Sequence, residues 1–471
     1  MSDEIRGGSI SLYSSAEPEQ RYSASAPTTF DETSSHRERC SVESIFPLCT
    51  VQALLDGFFT YLYPISPFPH EKSFRNAWAM REDARSDPFL ALLSSMLGAF
   101  ISTFPRQART IIEISGINLE THNVNSDIAK CRYVCNVARG SGLASSNESR
   151  TQEAATSLYL ALMHMNVQKW QICQIYLSQC FSILGSMHMQ DHDSDTRSSS
   201  ASKTSYLTSD GDEPAFALSV ENTGRIDHIE TQVGRRIFWR AFGHATTLEQ
   251  LGVTSAACVV PLTTLESLHP PLPDIVDDVD LGNPHRNDQQ SAGLSIMAGF
   301  NAIVETYRVY NAAARRQRSW HARYELWSNE TEQRIWSDAL DENKYAYAKL
   351  PDQLKHTHKI AAGFTTNDHK NRNTRSKLHE RRLLQYELQK HILFVSILSV
   401  RSSIVEKLLR CTHSAGFNLT RDGCVLDILV TEKKMLVHDL SCGLRNLPTG
   451  IVEANVDLLV SCGHLSWITG S

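Results

Sequence analysis

Four groups of residues in this sequence have types and spacings that could do chemistry. Asp277, Asp278 and Asp280 bring three carboxylates into four positions, enough oxygen to hold a divalent cation against a diphosphate. That chemistry needs the acids on a helix wall facing an apolar cavity, with a second motif of Asn or Asp, Ser or Thr, and Glu on a later helix. Here they follow His269-Pro270-Pro271-Leu272-Pro273, which predicts an extended surface strap, and no such second motif appears. His188 and His192 stand at the i, i+4 spacing that puts two imidazoles on one helical face, where a metal could sit. No Glu follows His188, and Asp191-His192-Asp193 reads as the fraying end of the helix. Cys131 and Cys135 repeat the spacing with thiols, without a nearby His or Cys to complete a site, and read as core residues. No glycine-rich phosphate loop, nucleophile elbow or Cys/His catalytic pair stands out. The expectation is a non-enzymatic chain with no metal and no cofactor.

The fourth group is cationic. In the run Glu230 to Arg240, the residues Ile229, Val233, Ile237 and Ala241 recur every four positions, and His244, Leu248 and Leu251 continue the stripe. That spacing makes one apolar face of a helix. Phe238 and Phe242 widen it, so the helix is expected to be buried on more than one side. Arg235, Arg236 and Arg240 lie on or beside this face. A guanidinium so close to a core requires a carboxylate or several carbonyls, because an unpaired buried charge is costly.

The elements that must position these groups are helical. The chain has 471 residues, 41% hydrophobic, with a formal net charge of −6, so no global field draws it to nucleic acid. Eleven cysteines are scattered, and Cys173 and Cys180 sit seven apart on one apolar helix face. Met1 to Tyr22 is polar with no apolar signal core, which predicts an intracellular protein with reduced thiols. Residues 1–44 are rich in Ser, Glu, Thr and Arg and read as disordered. The uncharged run Pro88 to Pro105 falls short of the roughly 20 apolar residues of a membrane span, so a buried helix is predicted there and no membrane association. Residues 152–189 read as a helical hairpin turning at Asn166, and about 191–224 as a polar insert. Helices follow over 293–315, from Trp320 to Leu350, from Leu384 to Leu409, from Val425 to Leu440 and from Ile451 to Ile468. The predicted fold class is all-α, a multi-helix bundle or solenoid-like array of helical hairpins with long polar loops. A domain over 45–410 carries further helices of 411–471 packed on it. A basic loop at about 365–382 holds Lys370, Arg372, Arg375, Lys377, Arg381 and Arg382, which could form a nuclear-import signal, an anion contact or a solvated loop.

Several stretches share an order that resembles one family. They are Tyr63-Pro64-Ile65-Ser66-Pro67-Phe68-Pro69-His70 after a helix, Leu184-Gly185-Ser186-Met187-His188, and Glu230 with Arg235-Arg236-Ile237-Phe238-Trp239. Leu272-Pro273 to Asp277-Asp278 and Leu350-Pro351-Asp352-Gln353-Leu354 follow. Together they resemble the fungal transcription factor regulatory domain, the middle homology region of zinc-cluster regulators. The resemblance makes Glu230, Arg235, Arg236, Phe238, Trp239, Pro273, Asp277 and Asp278 structural signature residues. It implies an all-helical nuclear regulator of RNA polymerase II-dependent metabolic or secondary-metabolite genes, in some members responsive to a small molecule. The sequence departs from the family in two places. Cys40 and Cys49 are the only cysteines in the first hundred residues, so the six-cysteine zinc cluster is absent, and Arg401-Ser402 stands where the family commonly has Arg-Pro. DNA contact is therefore expected to be indirect or through another module, with the transcription machinery or a partner regulator as partners. The alternative is a helical interaction protein without DNA affinity that modulates a partner regulator.

Overall fold

The run from Asp87 to Thr103 shows how an apolar stretch containing several hydroxyls becomes the centre of a helical array. Ser86 caps the helix by accepting from the Phe89 amide at 3.4 Å, and Pro88 sits in the first turn, where its missing N–H costs nothing. Inside, Ser94, Ser95 and Thr103 donate to the Leu90, Leu92 and Ala99 carbonyls at 2.7 Å each. Those bonds satisfy the hydroxyls locally and let the helix be covered all round. Gly98 is the point of closest approach: a Cβ there would stand 2.3 Å from Met163 Sδ and 3.1 Å from Cys131 Cβ.

The computed structural model describes residues 40–117, 123–140, 150–187, 228–253, 269–281, 295–323, 329–355, 374–414 and 422–446, all within one unit, Cys40–Ser471. Among the described residues there are twelve α-helices and no strand, an all-α fold as the sequence predicts. In order they are α1 (Leu48–Gly57), α2 (Glu71–Ala79), α3 (Asp87–Thr103), α4 (Pro105–Ile114), α5 (Val124–Arg139) and α6 (Arg150–Asn166). Then come α7 (Trp170–Gly185), α8 (His228–Gln250), α9 (Ile296–Arg323), α10 (Asn329–Lys349), α11 (Thr374–Ser414) and α12 (Asp422–Asn446). A wide π turn, Phe58–Leu62, extends α1.

Packing follows chain order. Helix α3 is held by α1, α4, α5 and α6, α7 folds back on α6, and α8 lies against α6, α7 and α9. Helices α9, α10 and α11 pack on one another, and α12 lies on α11. One continuous hydrophobic cluster runs from Val42 to Leu436. Asn166 ends α6 and donates to Ser102 Oγ at 3.0 Å and Thr103 Oγ1 at 2.9 Å, which fixes the α6–α7 turn on the end of α3. Cys131 and Cys135 are buried on α5, and burial raises both thiols, Cys135 to about 12, so they pack as neutral side chains.

Several boundaries differ from the sequence reading. Order begins before residue 45, because Val42 is fully buried in a short 3-10 turn. Trp320 belongs to the end of α9, and α10 begins at Asn329. Residues 374–382, expected in the basic loop, are the first turns of α11; no Gly or Pro interrupts them. The insert at 191–224, residues 1–39, His188, His192, Lys370, Arg372 and Ile451 to Ile468 lie outside the described residues. Among the described residues no single helix is long and apolar enough to cross a membrane, and α3 and α4 meet at 112°.

Two histidines are buried with a ring nitrogen unpaired: His164, which stacks on Tyr176 at 5.6 Å, and His244. Burial, assisted by the nearby Arg132 and Lys169 charges, lowers His164 from 6.5 to about 4. Burial beside Arg240 lowers His244 in the same direction. Between pH 6.5 and 4 the unfolded chain therefore binds a proton at residue 164 that the folded chain does not. Stability should fall as pH drops through this window, and His164→Gln should flatten that part of a pH series of urea midpoints.

Candidate functional site

The four chemistry-bearing groups of the sequence resolve into one polar junction beneath residues 269–281. Helix α8 presents Gln232, Arg235, Arg236 and Trp239 on one face, at the spacing that lines a single side of a helix. The Gln232 amide clamps the strap from both directions, donating to Asp274 Oδ2 at 2.7 Å and accepting from the Asp274 amide at 2.9 Å. Trp239 Nε1 donates to the Pro271 carbonyl at 3.1 Å, and from α9 Asn301 donates to the Pro273 carbonyl at 2.9 Å. An extended, proline-rich segment has carbonyls to spare, and these two side chains use them.

Arg236 is 1% exposed and sits at the centre. It donates to Asp278 Oδ1 at 2.5 Å, to the Pro67 carbonyl at 3.1 Å and to the Val276 carbonyl at 3.5 Å. Burial alone would lower its pKa, but the Tyr63 and Asp278 groups outweigh it and hold Arg236 above the ordinary value. Asp278 serves four donors in all. Besides Arg236, its carboxylate accepts from the Tyr63 hydroxyl and from the Glu71 amide at 2.7 Å, and its carbonyl accepts from His70 Nε2 at 3.0 Å. Burial, then the Asp278 charge, pushes the Tyr63 phenol well up, so it stays a donor. His70 is the Nε2–H tautomer, since Nε2 faces a carbonyl and Nδ1 accepts from the Ser73 amide at 3.3 Å.

Asp277 performs the matching task one residue earlier. Its Oδ1 accepts from Ser295 Oγ at 2.8 Å and from the Ile296 amide at 3.1 Å, capping α9 beside the local Ser295 cap. Its other oxygen pairs with Arg382 of α11. Adjacent acids thus each serve one helix N-terminus, Asp278 on α2 and Asp277 on α9, where amides and the helix dipole favour a negative group. Next along α11, Arg381 binds both oxygens of Glu71 and the Phe59 carbonyl at 2.9 Å each. Gln385 also donates to Phe59 O, at 2.8 Å, and Gln389 to the Pro64 and Ile296 carbonyls at 2.8 and 2.7 Å. These carbonyls need outside donors because the π turn directs the Tyr63 amide to Phe58 O and Pro64 has no N–H.

The remaining signature residues have separate roles. Glu230 accepts from Thr151 Oγ1 of α6 at 3.2 Å. Phe238 is buried between Phe181, Trp239 and His269, with ring centroids 5.6, 5.2 and 5.7 Å away. Arg235 is 3% exposed, its Nε has no hydrogen-bond partner, and the nearest carboxylate, Asp274, stands 3.9 Å away. Burial lowers the Arg235 pKa, and Asp274 opposes that only in part. Arg375 and Lys377 fall in the first turn of α11.

Asp277 and Asp278 do not converge on a common point, since they contact different helices and different arginines. That arrangement overturns the diphosphate–magnesium reading of the acid cluster. Among the described residues no group of three His, Cys, Asp or Glu side chains is placed to hold a metal ion. Sequence reading assigned no role to Gln232, Ser295 or Gln389. Gln232, one turn before Arg236 on a buried face, carried the only local signal.

Asp278→Ala should leave the Arg236 charge buried and unpaired, at a cost of about 3–5 kcal/mol in urea denaturation. Arg236→Met with Asp278→Asn removes both charges yet keeps an acceptor for Tyr63 and the Glu71 amide, and should recover most of that loss. Compared with models of protein families, with curated proteins and with solved structures, the chain matches none.

Proposed function

We propose that this chain is the regulatory domain of a fungal transcription regulator acting on RNA polymerase II-dependent expression of metabolic or secondary-metabolite genes. The observation that carries the reading is that the separate stretches bearing the resemblance meet at one junction. Arg236 of the central helix binds Asp278 of the Leu-Pro-x-x-x-Asp-Asp strap and the Pro67 carbonyl of the Tyr-Pro-x-x-Pro turn. Trp239 binds the strap at Pro271. Residues that merely matched a pattern by chance would have no reason to contact one another across 169 positions of chain.

In this reading the domain works in the nucleus without enzymatic chemistry. The strap is the element on which a small-molecule effector or a protein partner acts, because displacing it uncaps α2 and α9 together. DNA is reached through another module or through a partner regulator, and the transcription machinery is the downstream contact. A second reading is a helical interaction protein with no DNA affinity that modulates a partner regulator. It is favoured by the internal use of Arg381 and Arg382, which face Glu71 and Asp277 rather than a free basic surface.

Tethering the chain to an unrelated DNA-binding module upstream of a reporter tests the proposal, and should change transcription about tenfold or more, the scale of a 1.4 kcal/mol bias in recruitment. No change, with a location outside the nucleus, would overturn both readings. Binding of the untethered chain to DNA, measured at two salt concentrations, separates them from direct recognition: salt-sensitive specific binding would contradict indirect contact. For import, replacing Lys370, Arg372, Arg375 and Lys377 together by Ala should move a fluorescent fusion out of the nucleus. Arg381→Ala with Arg382→Ala should instead lower stability, by about 1 kcal/mol, and leave location unchanged. A quadruple variant that stays nuclear would remove the import role.

A further inference from the structure

Helix α12 carries more apolar surface than its one packing partner covers. Leu429 and Leu436 are buried against α11, and Gly443 lets the backbone close on Phe394, whose ring carbon would stand 2.6 Å from a Cβ there. Glu432, beside this seam, binds Arg401 of α11 and Lys344 of α10, which fixes the rotation of α12 about its axis. With that rotation fixed, Ile428 and Met435 stand 62% and 51% exposed on one flank, and Val430 and Val437 stand 37% and 45% exposed on the other. A helix with apolar residues on three sides is expected to be covered on more than one of them.

We propose that residues 451–468 of this chain dock along the Ile428–Met435–Cys442 flank of α12. After Asn446 the sequence reads Leu447-Pro448-Thr449-Gly450, a short reversing connection of the kind that joins antiparallel helical neighbours. Beyond it Ile451, Ala454, Leu458, Cys462 and Leu465 recur at spacings of three and four, one apolar stripe at helical period. That stripe and the exposed flank each span fourteen residues, about 21 Å of helix. Folding back over so short a connection brings Cys462 level with Met435. The docking would bury both stripes and continue the sequential hairpin packing by which α7 covers α6 and α12 covers α11. The inference does not rest on the proposed function.

Two experiments on the full chain test it. In hydrogen exchange, Leu458→Asp with Leu465→Asp should speed amide exchange over Ile428 to Cys442 about tenfold, with the α3 region unchanged as the control for folding. Unchanged exchange along α12 would overturn the proposal. Met435→Cys under mild oxidation should form an intramolecular disulfide with the native Cys462, mapped by mass spectrometry and lost in Cys462→Ser. A disulfide between Cys residues at position 435 of two chains would show that a second copy covers the flank and would also overturn it.

Discussion

The ion pair of Arg236 and Asp278 is the constraint on which the middle of this protein depends. Both groups are nearly removed from water, Arg236 with its side chain 1% exposed and Asp278 with 9%. A pair so buried adds little net stability over an apolar replacement, because the desolvation of two ions offsets their attraction. Its effect is to forbid alternatives. Once Arg236 is placed in the interior by the apolar face of α8, the chain can close over it only in arrangements that bring a carboxylate and carbonyls to that point. The strap provides the carboxylate at Asp278 and the Pro67 turn provides a carbonyl. The same carboxylate then receives Tyr63 and the Glu71 amide, so the position of α2 follows from the position of α8.

Much of the architecture is legible in the sequence where the signal is local. The four-residue recurrence from Ile229 to Ala241 marks α8, the stripe from Trp170 to Met187 marks α7, and Asn166 marks the turn between α6 and α7. The same reasoning shows that the arginines on α8 need partners, since burial follows from periodicity and the cost of a lone buried charge is general. What the sequence does not carry is the identity of those partners. Asp278 lies 42 residues from Arg236 and Pro67 lies 169 away, and no periodic pattern links such positions.

Local rules also misplace some side chains. Capping rules look at the residue just before a helix, so they find Ser295 for α9 but neither His70 on α2 nor the acids that assist both ends from the strap. Arg381 and Arg382 look like part of a basic loop because Lys370, Arg372, Arg375 and Lys377 precede them. Their partners Glu71 and Asp277 are in distant parts of the chain. The resemblance among Tyr63 to His70, Glu230 to Trp239 and Leu272 to Asp278 marks the stretches that meet, although it gives no reason for the meeting. The hydrogen bonds of Arg236 and Trp239 give that reason.

The adjacency of Asp277 and Asp278 has a consequence for how the strap can move. The two acids are flanked by Val276 and Val279. A slip of the strap by one residue in either direction would therefore set a valine against Arg382 or Arg236 and leave one helix end without its acid. Intermediate positions are penalised at both ends at once, whereas the seated position satisfies both. Such a segment has no gradual path of sliding: it is in register or it is off. An element of this kind behaves as a binary latch, and whatever lifts it releases α2 and α9 in a single event.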